Sequence, residues 1–134
     1  MTATYNYEMT LSLLQRAVDE KGEDYNPRGC YYYDELRQPK CIVGHVLSYI
    51  DSSEGVIRRF IMSEPLGIEG LIEGLPSRNS TRISKIAPEL ERLGVSFDKD
   101  ALHLMDYTQN SQDCNVPWGA ALRGAIYDVK GADA

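Results

Sequence analysis

Cys41 and His45 are the residues whose types and spacing come closest to a known chemical site. They lie four positions apart, so a helix would present both side chains on one face. Two zinc ligands can be presented in this way, and Cys30 and Cys114 could complete a Cys3His site. The spacing Cys-x10-Cys-x3-His is not that of a standard zinc finger. We therefore expect no metal and no cofactor, with Cys41 a small buried residue and His45 partly exposed.

A cysteine nucleophile is the second chemical possibility. Cys41 stands where a helix is predicted to begin, and the helix dipole favours a thiolate at that end. A nucleophilic cysteine needs a histidine base and an orienting acid, for which the candidates are His45, His103, Asp106 and Asp113. No typical cysteine-hydrolase motif surrounds them. The sequence therefore favours a protein that is not an enzyme, and a small zinc- or cysteine-dependent enzyme stays open as an alternative.

Two carboxylates on one predicted helix form a third constellation. Asp106 and Asp113 lie seven positions apart on the same face, with Gln109 between them. Paired carboxylates can carry out acid–base chemistry. We favour a plainer interpretation, in which they are a solvated stripe or a cap for the following helix. Trp118 is interpreted as a core anchor.

A tyrosine-rich segment gives the best sequence indication of a recognition surface. Tyrosine and arginine are enriched at protein-binding hot spots, and the turn residues around this segment should bring it to the surface. We expect at least two exposed rings. Because neighbours on a strand face opposite sides, we also expect one of Tyr32 and Tyr33 to belong to the core and the other to the interface. The predicted binding residues are Tyr25, Arg28, Tyr31, Tyr32, Tyr33 and Arg37.

Composition and charge narrow the kinds of partner. The chain has 134 residues and a net charge of −6, from 14 basic and 20 acidic side chains. This charge disfavours nucleic acid, which needs a basic face. No apolar run approaches the roughly 20 residues that cross a bilayer. The first residues do not form a secretory signal, and three cysteines are an odd count, so we expect reduced thiols in the cytoplasm.

Helical periodicity predicts the elements that must position these residues. A first helix is expected over Tyr7–Lys21, a second from Cys41 to about Ile50, and a short one through Ile57 and Ile61. A shorter, glycine-interrupted segment follows Pro65, and residues 75–80 are predicted to form a flexible loop.

Three further helices are predicted in the second half of the chain. The helix through Ile83 should break at Pro88 and resume until Gly94. Asp98 should cap a helix that reaches about Gln112, and Pro117 should open the last one.

The predicted fold is a mainly α, compact multi-helix domain over residues 1–134, with room for one small β-hairpin near residues 30–40 and a frayed tail at 130–134. Its core should include Leu47, Leu90, Leu102, Trp118 and Leu122.

Two blocks of the sequence resemble small proteins encoded by actinobacterial phages. They are Cys41-Ile-Val-Gly-His-Val-Leu47 and Gln109-x-x-Gln112-Asp113-x-x-x-Pro117-Trp118-Gly-Ala-Ala-Leu122. That family has no assigned reaction. The resemblance implies a phage accessory protein that acts inside a bacterial host, and this class includes inhibitors that bind host or defence proteins.

The predicted function is therefore binding to a host protein, with self-association as a further possibility. An oligomeric protein that sequesters a small nucleotide-type ligand is the alternative, with Arg28, Arg37, Arg58 and Arg59 placed around an aromatic pocket. Neither a membrane nor a nucleic acid is an expected partner.

Overall fold

Six α helices and a two-stranded parallel sheet make up the part of the chain that the computed structural model describes, residues 3–27, 31–63 and 78–131. The prediction of a mainly α fold is confirmed. No helix in these ranges is long and apolar enough to span a bilayer. In chain order the elements are β1 (Ala3–Tyr5), α1 (Tyr7–Lys21), α2 (Ile42–Ile50), α3 (Val56–Met62), α4 (Ile83–Arg92), β2 (Val95–Phe97), α5 (Lys99–Asp113) and α6 (Trp118–Lys130).

Side-chain caps fix where three of the helices begin. The Asn6 side chain accepts a hydrogen bond from Met9 N at 2.9 Å, and α1 has its predicted bounds. Asp98 caps α5 as predicted, accepting from Ala101 N at 2.8 Å. Cys41 caps α2, where its Sγ accepts from Gly44 N at 3.2 Å. The Cys41 thiol therefore serves as the N-terminal cap of α2.

The predicted break at Pro88 is wrong, because α4 runs without interruption from Ile83 to Arg92. Proline inside a helix removes the bond to the carbonyl four residues earlier and costs about 3 kcal/mol. The helix keeps Ile83, Ile86 and Leu90 fully or almost fully buried on one side. Burial of three such side chains contributes about 1.5–3 kcal/mol each, enough to offset the lost hydrogen bond.

The predicted hairpin near residues 30–40 is reduced to a single antiparallel bridge between Tyr33 and Pro39. The pairing does not extend into a ladder, because Tyr32 N donates to the Asn79 carbonyl and not to the Lys40 carbonyl. The sheet instead joins two distant segments that the sequence did not indicate: β1 runs parallel to β2, with Ala3 opposite Val95 and Tyr5 opposite Phe97. The predicted segment after Pro65 lies outside the described residues, as do residues 132–134 of the predicted frayed tail.

The core lies where α1, α2, α5 and α6 pack together. Four of the five predicted core residues are fully buried, namely Leu47, Leu90, Trp118 and Leu122. Leu102 is only half-buried and packs at the edge of the core.

Close contact between α2 and the chain before it requires a glycine. A Cβ added to Gly44 would overlap the backbone carbonyl oxygen of Tyr32 and lie 2.9 Å from its carbonyl carbon. Backbone atoms cannot rotate away as a side-chain end can. Gly44 therefore sets the distance between α2 and the tyrosine-rich segment. Glycine destabilises the helix by about 1 kcal/mol relative to alanine, but a larger residue would not fit at this contact.

Gly44→Ala should lower the free energy of unfolding by about 3 kcal/mol, because α2 or the Tyr32 backbone must shift. Chemical denaturation followed by the fluorescence of Trp118, the single tryptophan, measures this. Gly124→Ala in α6 is the matched control, since its Cβ would meet only the movable Tyr107 ring at 3.2 Å. That control should be neutral or up to about 1 kcal/mol stabilising. Equal effects of the two substitutions would contradict the role given to Gly44.

Candidate functional site

The two sequence blocks meet at the side chain of Gln112. Its Oε1 accepts a hydrogen bond from Ile42 N at 2.9 Å and another from Trp118 Nε1 at 3.1 Å. Gln112 is buried, as are both donors' residues. One amide oxygen at the end of α5 thus satisfies an unpaired N–H in the first turn of α2 and the indole of α6. Gln112 therefore joins α2, α5 and α6, and it brings the two sequence blocks together.

Trp118 connects these three helices to the segment that follows α1. Its ring forms T-shaped contacts with Tyr25, at a ring-centroid distance of 4.8 Å, and with His45, at 5.1 Å. Its backbone N donates to the Tyr25 carbonyl at 3.0 Å, and Gly119 N donates to the Glu23 carbonyl at 2.9 Å. Trp118 is therefore a core anchor, as predicted, and it holds the chain that leads into the tyrosine-rich segment.

The geometry does not favour Cys41 as a nucleophile. The thiol is fully buried, and burial raises the pKa of Cys41 to about 12, so it stays protonated at neutral pH. His45 Nδ1 lies 3.0 Å from the backbone carbonyl oxygen of Cys41. Desolvation lowers the pKa of His45, which keeps its ring neutral. Contrary to the expectation of partial exposure, His45 is itself buried.

A metal-binding cluster is not seen within the described residues, where no three His, Cys, Asp or Glu side chains converge. Cys114 is exposed at the end of α5. Cys30 lies outside the described ranges, so the proposed four-ligand set is described only in part.

The remaining acid–base candidates form separate pairs. His103 Nε2 lies 2.6 Å from an oxygen of Asp128 on the surface of α5 and α6. Asp106 Oδ1 accepts from Ser84 N at 3.3 Å and so caps the start of α4 from the side of α5. Asp106 thus contacts the start of the preceding helix, whereas the prediction of a cap for the following helix is wrong, because α6 begins at Trp118 without a side-chain cap.

The exposure of the tyrosines agrees with the prediction only in part. Tyr25 and Tyr31 are 37% and 47% exposed, which confirms two exposed rings. Tyr32 and Tyr33 are both buried, so the expectation that one belongs to the core and the other to an interface is wrong. Residues 31–33 are not part of a strand, so strand alternation does not decide which of them is exposed. The Tyr32 hydroxyl donates to the Thr81 carbonyl, while Tyr33 Oη has no hydrogen-bond partner within the described part of the chain.

Asn79 fixes the backbone of this segment from the other side. Its Oδ1 accepts from Tyr33 N at 2.9 Å, and its Nδ2 donates to the Tyr33 carbonyl at 2.8 Å. Its own carbonyl accepts from Tyr32 N at 3.0 Å. Residues 78–80 form a short 3-10 turn, which corrects the prediction of a flexible loop for that part of 75–80. No sequence motif pointed to Asn79.

Residues 31–40, here called the tyrosine loop, display one leucine at their tip. Asp34 Oδ1 accepts from Leu36 N at 2.8 Å and from Gln38 N at 3.0 Å, and Arg37 adopts a left-handed conformation with φ 64°. Lys40 N closes the loop by donating to the Tyr32 carbonyl at 2.8 Å. Leu36 is 80% exposed although the backbone around it is held.

A concave surface lies beside this leucine. The cavity has a volume of about 470 Å³ and is lined by Tyr31, Tyr33, Asp34, Glu35, Leu36, Lys40, Met62 and Asn79. Of the predicted binding residues, the structure places Tyr31 and Tyr33 here and Arg37 in the adjacent turn. Tyr25 lies against Trp118, Tyr32 lies in the core, and Arg28 is outside the described residues. Leu36 was missed because a single exposed leucine carries no periodic pattern.

No family model, curated protein or solved structure matches this chain. What the protein does is therefore inferred from its own geometry.

Gln112→Met should destabilise the fold by about 2–5 kcal/mol. The substitution keeps the side-chain volume but leaves the Ile42 N–H and the Trp118 indole N–H buried without their acceptor, at about 1–3 kcal/mol for each. Urea denaturation gives the change in unfolding free energy. Gln15→Met on the exposed face of α1 is the control and should change it by less than about 0.5 kcal/mol. A mild effect of Gln112→Met would show that the two blocks are not held together by this residue.

Tyr32→Phe and Tyr33→Phe should have opposite effects on stability. The first removes a hydrogen bond to the Thr81 carbonyl and should cost about 1 kcal/mol or more. The second removes a buried hydroxyl with no partner in the described residues, so it should be neutral or stabilising by up to about 1 kcal/mol. Thermal melts of both variants test this, and a larger loss for Tyr33→Phe would refute the assigned environments.

Proposed function

We propose that this chain is a non-enzymatic binding protein that engages another protein through the tyrosine loop. The observation that carries the proposal is Leu36, which is 80% exposed at the tip of a loop whose backbone is hydrogen-bonded on both sides. A large apolar side chain in that position has no role in the core of its own chain. Leu36 lines one cavity together with Tyr31 and Met62, and contiguous exposed apolar surface of this kind is typical of protein-binding sites.

Hydrogen bonds that order the backbone of the tyrosine loop lower the free-energy cost of binding. Binding normally costs the ordering of loops and side chains at an interface. Asp34, Asn79 and the Lys40 amide already order the tyrosine loop in the free protein, so little of that cost remains. Leu36 and the exposed ring of Tyr31 can then act as anchors beside the cavity of about 470 Å³.

The chemistry of the loop indicates the kind of partner surface. Glu35 and Arg37 flank Leu36 in the sequence, and both are exposed. A matching partner offers an apolar pocket for Leu36, with a basic group near Glu35 and an acidic group near Arg37. Such a mixture of charges suits a protein surface better than nucleic acid, which is uniformly negative.

The nucleotide-sequestering alternative receives less support. Arg37, Arg58 and Arg59 do not line the cavity beside the loop, and Arg28 is outside the described residues. Two carboxylates, Asp34 and Glu35, line that cavity with one lysine, Lys40, which is unfavourable for phosphate. An enzyme is likewise disfavoured, because the Cys41 thiol is buried and protonated.

The resemblance to actinobacterial phage proteins suggests where the partner is found. On that basis the chain acts in the cytoplasm of a bacterial host as a phage accessory protein, and the bound protein belongs to the host, with defence proteins among the candidates. A second copy of this chain is the other possible occupant of the loop.

A photo-crosslinking amino acid at position 36 should trap the partner in an actinobacterial host lysate. The same group at Tyr127, which is 64% exposed on α6, is the matched control and should not give that adduct. Leu36→Asp should abolish co-purification of the trapped protein while changing the unfolding free energy by less than about 0.5 kcal/mol, since Leu36 contributes little to the core.

Two results would contradict the proposal. Adducts formed equally from positions 36 and 127 would show that the loop is not a specific surface. An adduct only with a second copy of the chain would assign the loop to self-association.

A further inference from the structure

A second cavity, with a volume of about 680 Å³, lies between the start of α4 and an exposed face of α5. It shares no lining residue with the cavity beside Leu36 and is larger than that cavity. Its volume falls in the range of about 300–1,000 Å³ that is typical of sites for small organic ligands. The binding of a partner protein at the tyrosine loop does not use this cavity.

Three basic side chains line this second cavity: Arg82 at the start of α4, and Lys99 and His103 on α5. Arg82 and Lys99 are exposed and belong to no ion pair among the described residues. Asp106 is the one carboxylate in the lining, so the formal charge of the lining is positive even when His103 is neutral. The cavity beside Leu36 has two carboxylates and one lysine, and the whole chain carries a charge of −6. The positive charge is therefore a local property of the second cavity, and it favours an anionic ligand.

Contacts within the protein connect the walls of the second cavity. Ser84 N donates to Asp106 Oδ1 at 3.3 Å, which joins the start of α4 to α5 and uses one oxygen of the lining carboxylate. His103 Nε2 lies 2.6 Å from Asp128 Oδ2 on α6, and Asp128 itself does not line the cavity. The two walls are thus connected in the free protein, which lowers the cost of assembling them around a ligand.

An apolar and aromatic surface lies beside these basic side chains. Leu102, which is half-buried, and Tyr107, which is 37% exposed, also line the second cavity. Tyr107 follows Lys99 and His103 at steps of four residues, so α5 presents the three side chains along one stripe. The ring of Tyr107 lies beside α6, where a Cβ added to Gly124 would be 3.2 Å from its Cε1 atom. The exposed part of the ring is available to an aromatic group of a ligand.

We propose that the second cavity binds an aromatic phosphate monoester. The phosphate contacts Arg82, Lys99 and His103, because an arginine can donate to two phosphate oxygens at once and a lysine adds a compact positive charge. The aromatic group stacks on Tyr107, and the amide of Asn110 can hydrogen-bond its edge. A phosphate monoester carries up to two negative charges and matches several cations better than a singly charged carboxylate does. An uncharged or cationic ligand would leave the basic side chains without a counter-charge.

An aromatic phosphate can belong to a free nucleotide or to a phosphorylated tyrosine side chain of a protein. Adenosine monophosphate represents the first source, and an acetylated, amidated Gly-phosphotyrosine-Gly tripeptide represents the second. Adenosine lacks the phosphate, and inorganic phosphate lacks the aromatic group. Each of these four compounds is titrated into the full chain at constant ionic strength, and amide and side-chain NMR shifts of the ¹⁵N-labelled protein are followed.

The expected result is saturable binding of the nucleotide or the phosphotyrosine tripeptide, with shifts centred on Arg82, His103 and Tyr107. Adenosine and inorganic phosphate should each bind at least about tenfold more weakly, because each makes only one of the two kinds of contact.

Three variants separate the contributions to this affinity. Arg82→Gln should weaken binding of the aromatic phosphate about tenfold or more, as expected for loss of a charged hydrogen-bond donor. Lys85→Gln is the matched control: it removes an exposed charge from the same helix outside the cavity and should change the affinity by less than about twofold, because salt screens that charge. Tyr107→Leu should weaken the aromatic phosphate about fivefold or more and leave the binding of inorganic phosphate unchanged. Trp118 fluorescence checks that each variant is folded.

The tighter of the two aromatic phosphates identifies the source of the ligand as a small molecule or a protein side chain. No saturable binding of either compound, shifts spread over exposed lysines, or equal effects of Arg82→Gln and Lys85→Gln would overturn the proposal. Leu36→Asp should bind the aromatic phosphates as the unmodified chain does, so failure at this cavity and failure at the tyrosine loop are distinguishable.

Discussion

The hydrogen bonds from Ile42 N and Trp118 Nε1 to Gln112 are the interaction on which the arrangement of this protein depends. They join the start of α2, the end of α5 and the start of α6 at one buried oxygen. Buried donors without an acceptor are costly, so these three helix ends are held at a fixed distance from one another. Trp118 extends the constraint to the residues that follow α1, through backbone bonds to Glu23 and Tyr25.

Through α2, the same hydrogen bonds also fix the position of the tyrosine loop at the surface. Gly44 lets the helix approach the carbonyl of Tyr32, and Tyr32 in turn is bonded to Asn79 and Thr81. The residues that resemble a chemical motif therefore contribute to structure, and they fix a loop that displays Leu36. This connection from a buried amide to an exposed leucine is the physical basis for regarding the chain as a binding protein.

The sequence predicts the helices far better than the contacts between them. Apolar spacing and the Asp98 cap are local signals, and they place α1 and α5 within a residue of their observed bounds. The pairing of β1 with β2 joins three-residue strands from opposite parts of the chain, and such short, non-local pairing leaves no local pattern. The predicted break at Pro88 was wrong, because burial of the apolar side of α4 stabilises the helix by more than the lost backbone hydrogen bond costs.

The same difference applies to the candidate site. Exposure of Tyr25 and Tyr31 could be predicted from turn residues around an aromatic cluster. The roles of Leu36 and Asn79 could not, because they arise from hydrogen bonds across residues 31–40 and 79.

Amide hydrogen exchange of the free protein tests most directly whether hydrogen bonds fix the tyrosine loop in the conformation that displays Leu36. The amides of Tyr32, Tyr33, Leu36, Gln38 and Lys40 all donate hydrogen bonds, although the loop lies at the surface. We expect clear protection at these five amides, strongest at Tyr32, Tyr33 and Lys40, which lie against α2 and Asn79. Exchange of all five at the rate of an unfolded chain would contradict the account.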